Sequence, residues 1–348
     1  LRIALFTEYL APAYDEGYKN FTYNLFREAP AKHEVVRLGS GDPDVLDVQV
    51  RAGKLCLGVG KKVGDFKPDV VLYMPISSIT PASFVRARIL KWQMRAPVVM
   101  VGLQPRDYPP WSIGILRRIA PDMLYVQSQA TADALTKLGF RTGTVAGGFD
   151  PSRFKPVGPA EKARLRSKYN VALGTTVVLH VGHINEGRNI RALAGLTSSD
   201  RQVVISASTS TPQDRDLARW LMDQGVTILG DYIEEIEEVY QLADVYVFPV
   251  MEKTAAIGMP LSVIEAMACN LPVVTTMFGG LVDKFGEGNG LYFVRDIGEL
   301  PGTVEVAIRE THVHTADKVR SFAWPEIVQS LFLDIEQAIM KRVSQDVS

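Results

Sequence analysis

The residue best placed to do chemistry is Glu265, an acid inside the apolar stretch Gly258 to Gly280, GMPLSVIEAMACNLPVVTTMFGG. Leu261, Ile264, Ala268 and Leu271 follow helical spacing, and Pro260 suits the first turn of that helix. Leu271-Pro272 ends the helix and Val273-Val274-Thr275 begins a strand. Acids are seldom fully buried unless paired or hydrogen-bonded. Two readings stand open: Glu265 lies on a solvated helix face, or it is a carboxylate held at a ligand. Other chemical signals are weaker. Asp42-Pro43-Asp44 and Asp214-Arg215-Asp216 have a spacing that suits a metal-bound diphosphate. The first falls in a turn and the second at a helix start, where acids are favoured anyway. Both read as structural, and no metal is expected. His312-Val313-His314 is too isolated for a zinc site. The chain has no P-loop, no G-x-S-x-G and no H-E-x-x-H, which sets aside the chemistries those motifs carry.

The elements that must position these residues alternate between strand and helix. Arg2–Thr7, 34–38, 69–73, 97–101, 122–126 and 142–145 read as strands, with a helix from Ser128 or Gln129 to Leu138. The stretch 44–64 reads as helical, although its glycines oppose a helix. Glycines and prolines cluster at 147–159 and mark a domain boundary. A second series follows, with strands at 176–181, 202–206, 226–229 and 245–248. Glu234–Leu242 reads as a short helix whose charge run at 234–238 is a solvated face. A last helix starts near Trp324-Pro325-Glu326 and runs to about Arg342. Strands alternating with helices imply parallel sheets covered on both faces, with ligands at the strands' carboxyl ends.

At 348 residues the chain has room for two domains, and a 47% hydrophobic, 22% charged composition is that of a globular protein. No apolar run reaches membrane-spanning length, and LRIALFTEYL reads as a strand without a cleavage site. Cys56 and Cys269 give no disulfide framework and no metal spacing, so cytosolic thiols are expected. Residues 1–156 carry 21 Lys+Arg against 14 Asp+Glu, a net +7, and the rest carries 17 against 25, a net −8. The basic half suits an anionic partner, or reflects solvated faces without function. Within it, ASFVRARILKWQMR and WSIGILRRI interleave cations with Trp92 and Trp111. Such helices either lie on anionic lipid or are ordinary surface helices packing an apolar side on the sheet.

Five segments together resemble the family-4 retaining glycosyltransferases. VAGGFDPSRFKP is similar to the family's interdomain signature, HVGHINEGRN to its glycine turn before a basic residue, and TILGDYIEEIEEVYQLADVYVFPV to its strand, helix and A-D-V strand. VIEAMACNLPVVTTMFGGL resembles its E-A-M-A-x-G-x-P-V-V segment, and FAWPEIVQSLF the start of its final helix. The resemblance covers nearly the whole chain. It implies an α/β protein of the GT-B fold, two Rossmann-like domains facing an interdomain cleft. Residues 1–152 would form the acceptor domain and 153–325 the nucleotide-sugar donor domain, with 326–348 a helix packing back toward the first.

The same resemblance implies a donor site of Gly182, His183, Arg188, Gly230, Tyr232, Met259, Pro260, Leu261 and Glu265. Arg188 would take the diphosphate and Glu265 the ribose hydroxyls, and these two carry the catalytic assignment. Arginine can clamp two phosphate oxygens, and a carboxylate can accept from two neighbouring hydroxyls. A cation near a helix start is otherwise at the unfavourable end of the dipole. The chain departs from the family pattern in three places. His183 stands where the family has arginine, and need not be charged at neutral pH. Ile257 stands where the first acid of an E-x7-E pair belongs, with the segment from Pro249 to Glu265 about four residues longer than usual, so Glu252 is a candidate replacement. VGLQPRDY places Gln104 where a histidine is common. Gly17, at a strand-to-helix turn, would let backbone approach a ligand.

The activity implied is transfer of a sugar from a nucleoside diphosphate sugar to an acceptor hydroxyl with retention, independent of metal and without a cofactor. The acceptor would be lipid-linked or anionic and the product a cell-envelope glycan. The expected setting is the cytoplasm, with peripheral contact at the inner face of the cell membrane through the basic first domain, and no nucleic acid. Rival readings are a catalytically degenerate nucleotide-sugar-binding protein and a sugar-nucleotide 2-epimerase of the same fold.

Overall fold

The structure, a computed structural model, describes residues 1–50, Cys56, 58–209 and 212–346. It divides into two compact units, one of Leu1–Tyr14, Tyr18–Ala146 and Trp324–Ser348, the other of Asp15–Gly17 and Gly147–Ala323.

The first unit is built on strands β1 (Arg2–Thr7), β2 (Glu34–Gly39), β3 (Val48–Gln49), β4 (Val70–Met74), β5 (Val98–Val101), β6 (Met123–Val126) and β7 (Thr142–Thr144). All pairings are parallel, in the order β3-β2-β1-β4-β5-β6-β7. Central strands such as β4 are buried on both faces, which is why they read as unbroken apolar runs. From β4 to β7 the order advances one way. Right-handed crossovers therefore lay the helices Pro81–Met94, Ile113–Ile119 and Gln129–Lys137 on one face of the sheet. Phe84, Leu90, Leu116 and Leu135 from these helices close a core over Phe6, Tyr73, Met100 and Val126. Beyond β1, Glu8 accepts from the Ile76 N–H (3.0 Å) and from the Tyr73 hydroxyl (2.5 Å), tying the loops after β1 and β4 together.

One expectation changes here. The stretch 44–64 is not one helix: Val48–Gln49 is an edge strand and only Val59–Val63 is α-helical, while 51–55 and 57 lie outside the described residues. Gly58 and Gly64 bracket that helix with φ of 86° and 58°, conformations an α-helix cannot continue through. The acidic triplets serve structural roles, as the sequence reading expected, and Asp42 also accepts from the Tyr14 hydroxyl. Asp42 caps its own turn at the Asp44 N–H (2.9 Å), and Asp214 caps the helix Arg215–Asp223 at the N–H groups of Asp216 and Leu217.

The C-terminal helix Trp324–Asp346 belongs to the first unit. Trp324 is buried and meets Phe21 edge to face, with ring centroids 5.3 Å apart. Among the described residues no helix is long and apolar enough to cross a membrane.

The second unit contains β8 (Thr176–Val181), β9 (Arg201–Ser206), β10 (Thr227–Leu229), β11 (Val245–Phe248), β12 (Val273–Thr276) and β13 (Leu291–Val294), ordered β10-β9-β8-β11-β12-β13. Strand β13 and the helix Leu300–Ile308 are elements the sequence reading did not assign. β13 is four residues long and carries too little pattern to stand out. The chain around Arg188 also differs from expectation. Glu186–Arg188 and Ile190–Leu196 are 3-10 turns rather than the start of an α-helix, which weakens the dipole argument for that cation.

The charge run at 234–238 is not a plain solvated face. Arg153 pairs with Glu237 (2.6 Å), and the Tyr169 hydroxyl donates to Glu238 (2.7 Å) beside Lys168. These cations come from the segment after Gly147, distant in sequence, so a local reading of the run had no view of them.

Truncating Trp324 to Ala should remove a buried ring and the Phe21 contact. The expected loss is about 3–5 kcal/mol, read as a lowered denaturant midpoint of the first unit's transition. An unchanged midpoint would refute the packing described for this helix.

Candidate active site

The strand order of the second unit changes direction between β8 and β11: from β8 the chain steps outward to β9, and from β11 outward to β12. In open parallel sheets this is where loops from neighbouring strands part and leave a crevice at their carboxyl ends. The expected donor residues divide among the segments leaving these two strands and a turn after β10.

After β8 comes Gly182, then the 3-10 turn Glu186–Arg188. The Arg188 guanidinium lies against Gly182 so closely that a Cβ there would fall 2.1 Å from Nη1. Only glycine permits that approach. The Arg188 side chain is buried, and its Nε donates to the Ala255 carbonyl (3.1 Å). Burial lowers its pKa to about 10, so it remains a cation at neutral pH. His183 is pushed down to about 4, first by burial and then by Arg188, and is therefore neutral at pH 7. His180, inside β8, is fully buried and pushed down to about 3 by its desolvation, with Nδ1 at the Val247 carbonyl (2.9 Å).

After β11 the loop from Pro249 to Gly258 folds over the Arg188 turn. The Asn189 side chain donates to the Pro249 carbonyl (3.1 Å), Ala255 receives Arg188, and Glu252 comes so close to Gly187 that a Cβ there would stand 2.7 Å from Oε2. The lengthened segment thus holds the cation. Glu252 is exposed and bonded to the Thr254 hydroxyl (2.7 Å), while Ile257 is half-buried. The loop ends against Gly279, where φ is 51° and a Cβ would lie 1.9 Å from the Gly258 carbonyl oxygen.

The helix Leu261–Ala268 follows. Pro260 is its N-cap rather than its first helical residue, so it contributes a carbonyl, bonded by the Val263 N–H (3.2 Å), and no donor. Every residue of this helix except Ser262 is buried. The solvated-face reading of Glu265 is therefore overturned: the carboxylate sits in the core. Among the described residues its side-chain partner is the Tyr240 hydroxyl, which donates to Oε2 at 2.7 Å. Burial raises the Glu265 pKa to about 7, against the smaller downward pull of Tyr240 and Arg153. Tyr246, buried on β11, feels both Arg188 and Glu265: burial dominates its raised pKa, Arg188 lowers it and Glu265 raises it.

The structure thus brings Gly182, Arg188 and Glu252 into one cluster, while Glu265 sits on the helix after β11 with Tyr240 as its partner. Met259 is buried, with its sulfur accepting from the Gly147 N–H (3.2 Å), and Leu261 is buried beside it. Gly17 clusters with this unit, where a Cβ would lie 3.0 Å from Ile257 Cδ1. Gly230 and the exposed Tyr232 lie in the turn after β10, two strands away from β8. Gln104 belongs to the first unit, where its backbone is pinned by Ser78 Oγ and its side chain accepts from Arg106 (3.0 Å). The sequence reading missed Tyr240 and Arg153. Tyr240 is 25 residues from Glu265, and its only signal was a polar aromatic on the inner side of a short helix. Among the described residues no cluster of His, Cys, Asp or Glu could hold a metal ion.

Comparison with known proteins agrees with this layout. Anabaena HepE, solved in complex with UDP, superposes with a TM-score of 0.75 over 97% of this chain and 100% of its own, at 17% identity. Sucrose-phosphate synthase of Thermosynechococcus elongatus gives 0.73 over 97% and 99%, also at 17%. The two parallel sheets are those of the GT-B fold, as expected. Residues 175–308, within the second unit, match the family described as Glycosyl transferases group 1. Among curated relatives, the sulfoquinovosyl transferase SQD2 of Arabidopsis thaliana is 26% identical over 82% of this chain. A D-inositol 3-phosphate glycosyltransferase of Saccharomonospora viridis is 29% identical over 46%. The chain spans 61% of the length of the first and 41% of the second.

The Glu265 pKa gives a direct test. Its folded value, about 7, lies above the ordinary 4.5, so the protonated form is favoured by folding. The contribution to stability is complete below pH 4.5 and is lost as pH rises through 7. Glu265→Gln should match the parent near pH 5 and exceed it in thermal midpoint at pH 8, both measured without ligand. A difference that does not grow with pH would contradict the buried placement.

Proposed function

We propose that this chain transfers a sugar from a nucleoside diphosphate sugar to an acceptor hydroxyl with retention of configuration. The observation that carries the proposal is the presence, in a unit that matches the glycosyl transferases group 1 family, of a buried cation on the glycine turn after β8 and a buried carboxylate on the helix after β11. Keeping both charges out of water is costly unless a ligand uses them. Arg188 would meet the diphosphate and neutralise charge as the leaving group departs. Glu265, oriented by Tyr240, would accept from the ribose hydroxyls. The bond from the anomeric carbon to the diphosphate breaks, a bond to the acceptor oxygen forms on the same face, and the acceptor's proton passes to the leaving phosphate. No histidine base is needed, which suits the neutral His180 and His183. The HepE complexes with UDP and UDP-glucose make uridine diphosphate sugars the first donors to try. The net +7 of residues 1–156 favours an anionic or lipid-linked acceptor.

Turnover of a nucleotide-sugar panel, with Arg188→Ala and Glu265→Ala alongside the parent, tests the assignment. Each variant should lose at least tenfold in kcat/KM, the effect of removing one charge-assisted contact. Undiminished transfer in both would sink it. Tyr240→Phe removes the donor to Glu265 and should move the pH profile of donor affinity upward while leaving the fold intact. An unmoved profile would mean that Tyr240 does not position the carboxylate.

One observation favours a second reading, a nucleotide-sugar-binding protein without turnover: Ile257 is an apolar side chain where the family pattern has an acid. Calorimetric binding of nucleotide with no conversion of any donor, with or without acceptors, would decide for it.

A further inference from the structure

The helix layer on one face of the first unit's sheet has an outward surface that packing does not explain. The helix Pro81–Met94 turns Phe84, Ala87, Leu90 and Met94 to the core. Its opposite side runs through Val85, Arg88 and Trp92 to Arg95, all exposed and spaced three, four and three apart, which keeps them on one stripe. Trp92 leaves 76% of its surface in water. The helix Ile113–Ile119 packs beside it on the same face of the sheet and repeats the arrangement. Trp111 at its lead-in is 78% exposed, Ile115 is 56% exposed, and Arg117 and Arg118 are exposed next to them. The short helix Val59–Val63 also packs against Pro81–Met94 and adds exposed Lys61 and Lys62.

None of these three helices contains an Asp or a Glu. Three of their cations are engaged: Arg86 with Glu8 (3.3 Å), Lys91 with Asp122 (2.7 Å), and Arg117, whose Nε donates to the Leu138 carbonyl (2.5 Å). Among the described residues, no acid pairs with Arg88, Arg95 or Arg118. The apolar side of both longer helices does pack on the sheet, so the two tryptophans are additional to the core. A fully exposed indole forgoes the burial that makes it worth placing, and a polar residue would serve the helix as well.

The combination selects one kind of partner. Indole rings settle at the boundary between water and hydrocarbon, and Lys and Arg are drawn to anionic headgroups. A nucleic-acid surface would instead be expected to carry Asn, Gln, Ser or Thr beside its cations to bond phosphates and bases. Here the cations stand beside Val85 and Ile115. We propose that this face of the first unit docks on an anionic lipid bilayer, with Trp92 and Trp111 in the headgroup region and Arg88, Arg95, Arg117 and Arg118 against the lipid phosphates. The proposal stands apart from the donor site and does not depend on the sugar-transfer reading.

Cosedimentation of the full chain with vesicles tests it. The chain should bind vesicles of phosphatidylcholine mixed with phosphatidylglycerol at low salt, bind pure phosphatidylcholine far less, and be released as salt rises. The double variant Trp92→Ala, Trp111→Ala should lose binding at an unchanged thermal midpoint, since both rings lie in water. Arg88→Gln combined with Arg118→Gln should weaken partitioning about fivefold per charge. Failure to bind anionic vesicles, or full binding by the double tryptophan variant, overturns the proposal. Binding to single-stranded RNA that both variants weaken, without binding to vesicles, would assign the face to nucleic acid and overturn it as well.

Discussion

A carboxylate enclosed in an otherwise apolar helix constrains the second unit more than any other group. Glu265 is held by one neutral donor, the Tyr240 hydroxyl, with Arg153 acting on it through space. A single phenol does not repay the hydration a carboxylate loses on burial, and the raised pKa is the direct expression of that deficit. The arrangement fixes much around it. Tyr240 must sit on the inner side of the helix Ile236–Gln241, and Arg153 must reach Glu237 from the segment after Gly147. The helix Leu261–Ala268 must dock with nearly all of its surface covered. A fold that needed only stability would place an apolar residue at 265. A carboxylate kept there at a cost is understandable when a ligand supplies the missing donors.

The cation follows the same logic from the other side of the crevice. Arg188 reaches its place because Gly182 has no side chain and because the loop after β11 offers the Ala255 carbonyl. That carbonyl takes Nε, leaving the guanidinium nitrogens at the glycine turn. The loop, the turn and the helix start are separate in sequence, and the reversal of strand order between β8 and β11 is what makes them neighbours. The first unit has the same reversal between β1 and β4, where Glu8 links the two loops. Its outward helix layer is basic and aromatic. Part of the positive charge of the first half is therefore gathered on one identifiable surface.

Most of the fold was legible in the residues. Strands buried on both faces leave unbroken apolar runs, and β1, β4, β5, β6, β8 and β11 all have them. Their alternation with helices, and the Gly- and Pro-rich stretch near 150, fixed the class and the order of elements. What escaped was the helix Leu300–Ile308, the four-residue β13, the edge strand Val48–Gln49, and the 3-10 form of Glu186–Arg188 and Ile190–Leu196, where hydrogen-bond geometry rather than composition decides.

The sequence by itself determined that Glu265 is a group to explain, because an acid in an apolar helix is chemically conspicuous wherever it folds, and the family resemblance of its motifs added Arg188. It could not decide whether Glu265 faced water or the core, since periodicity names the stripe a residue occupies and not what covers the opposite stripe. Tertiary structure decided that by burying the helix all round and setting Tyr240 against the carboxylate. It also decided the fate of the charge run at 234–238 and of Trp92. Ion pairs and exposure depend on which distant segment arrives alongside, and no local pattern carries that information.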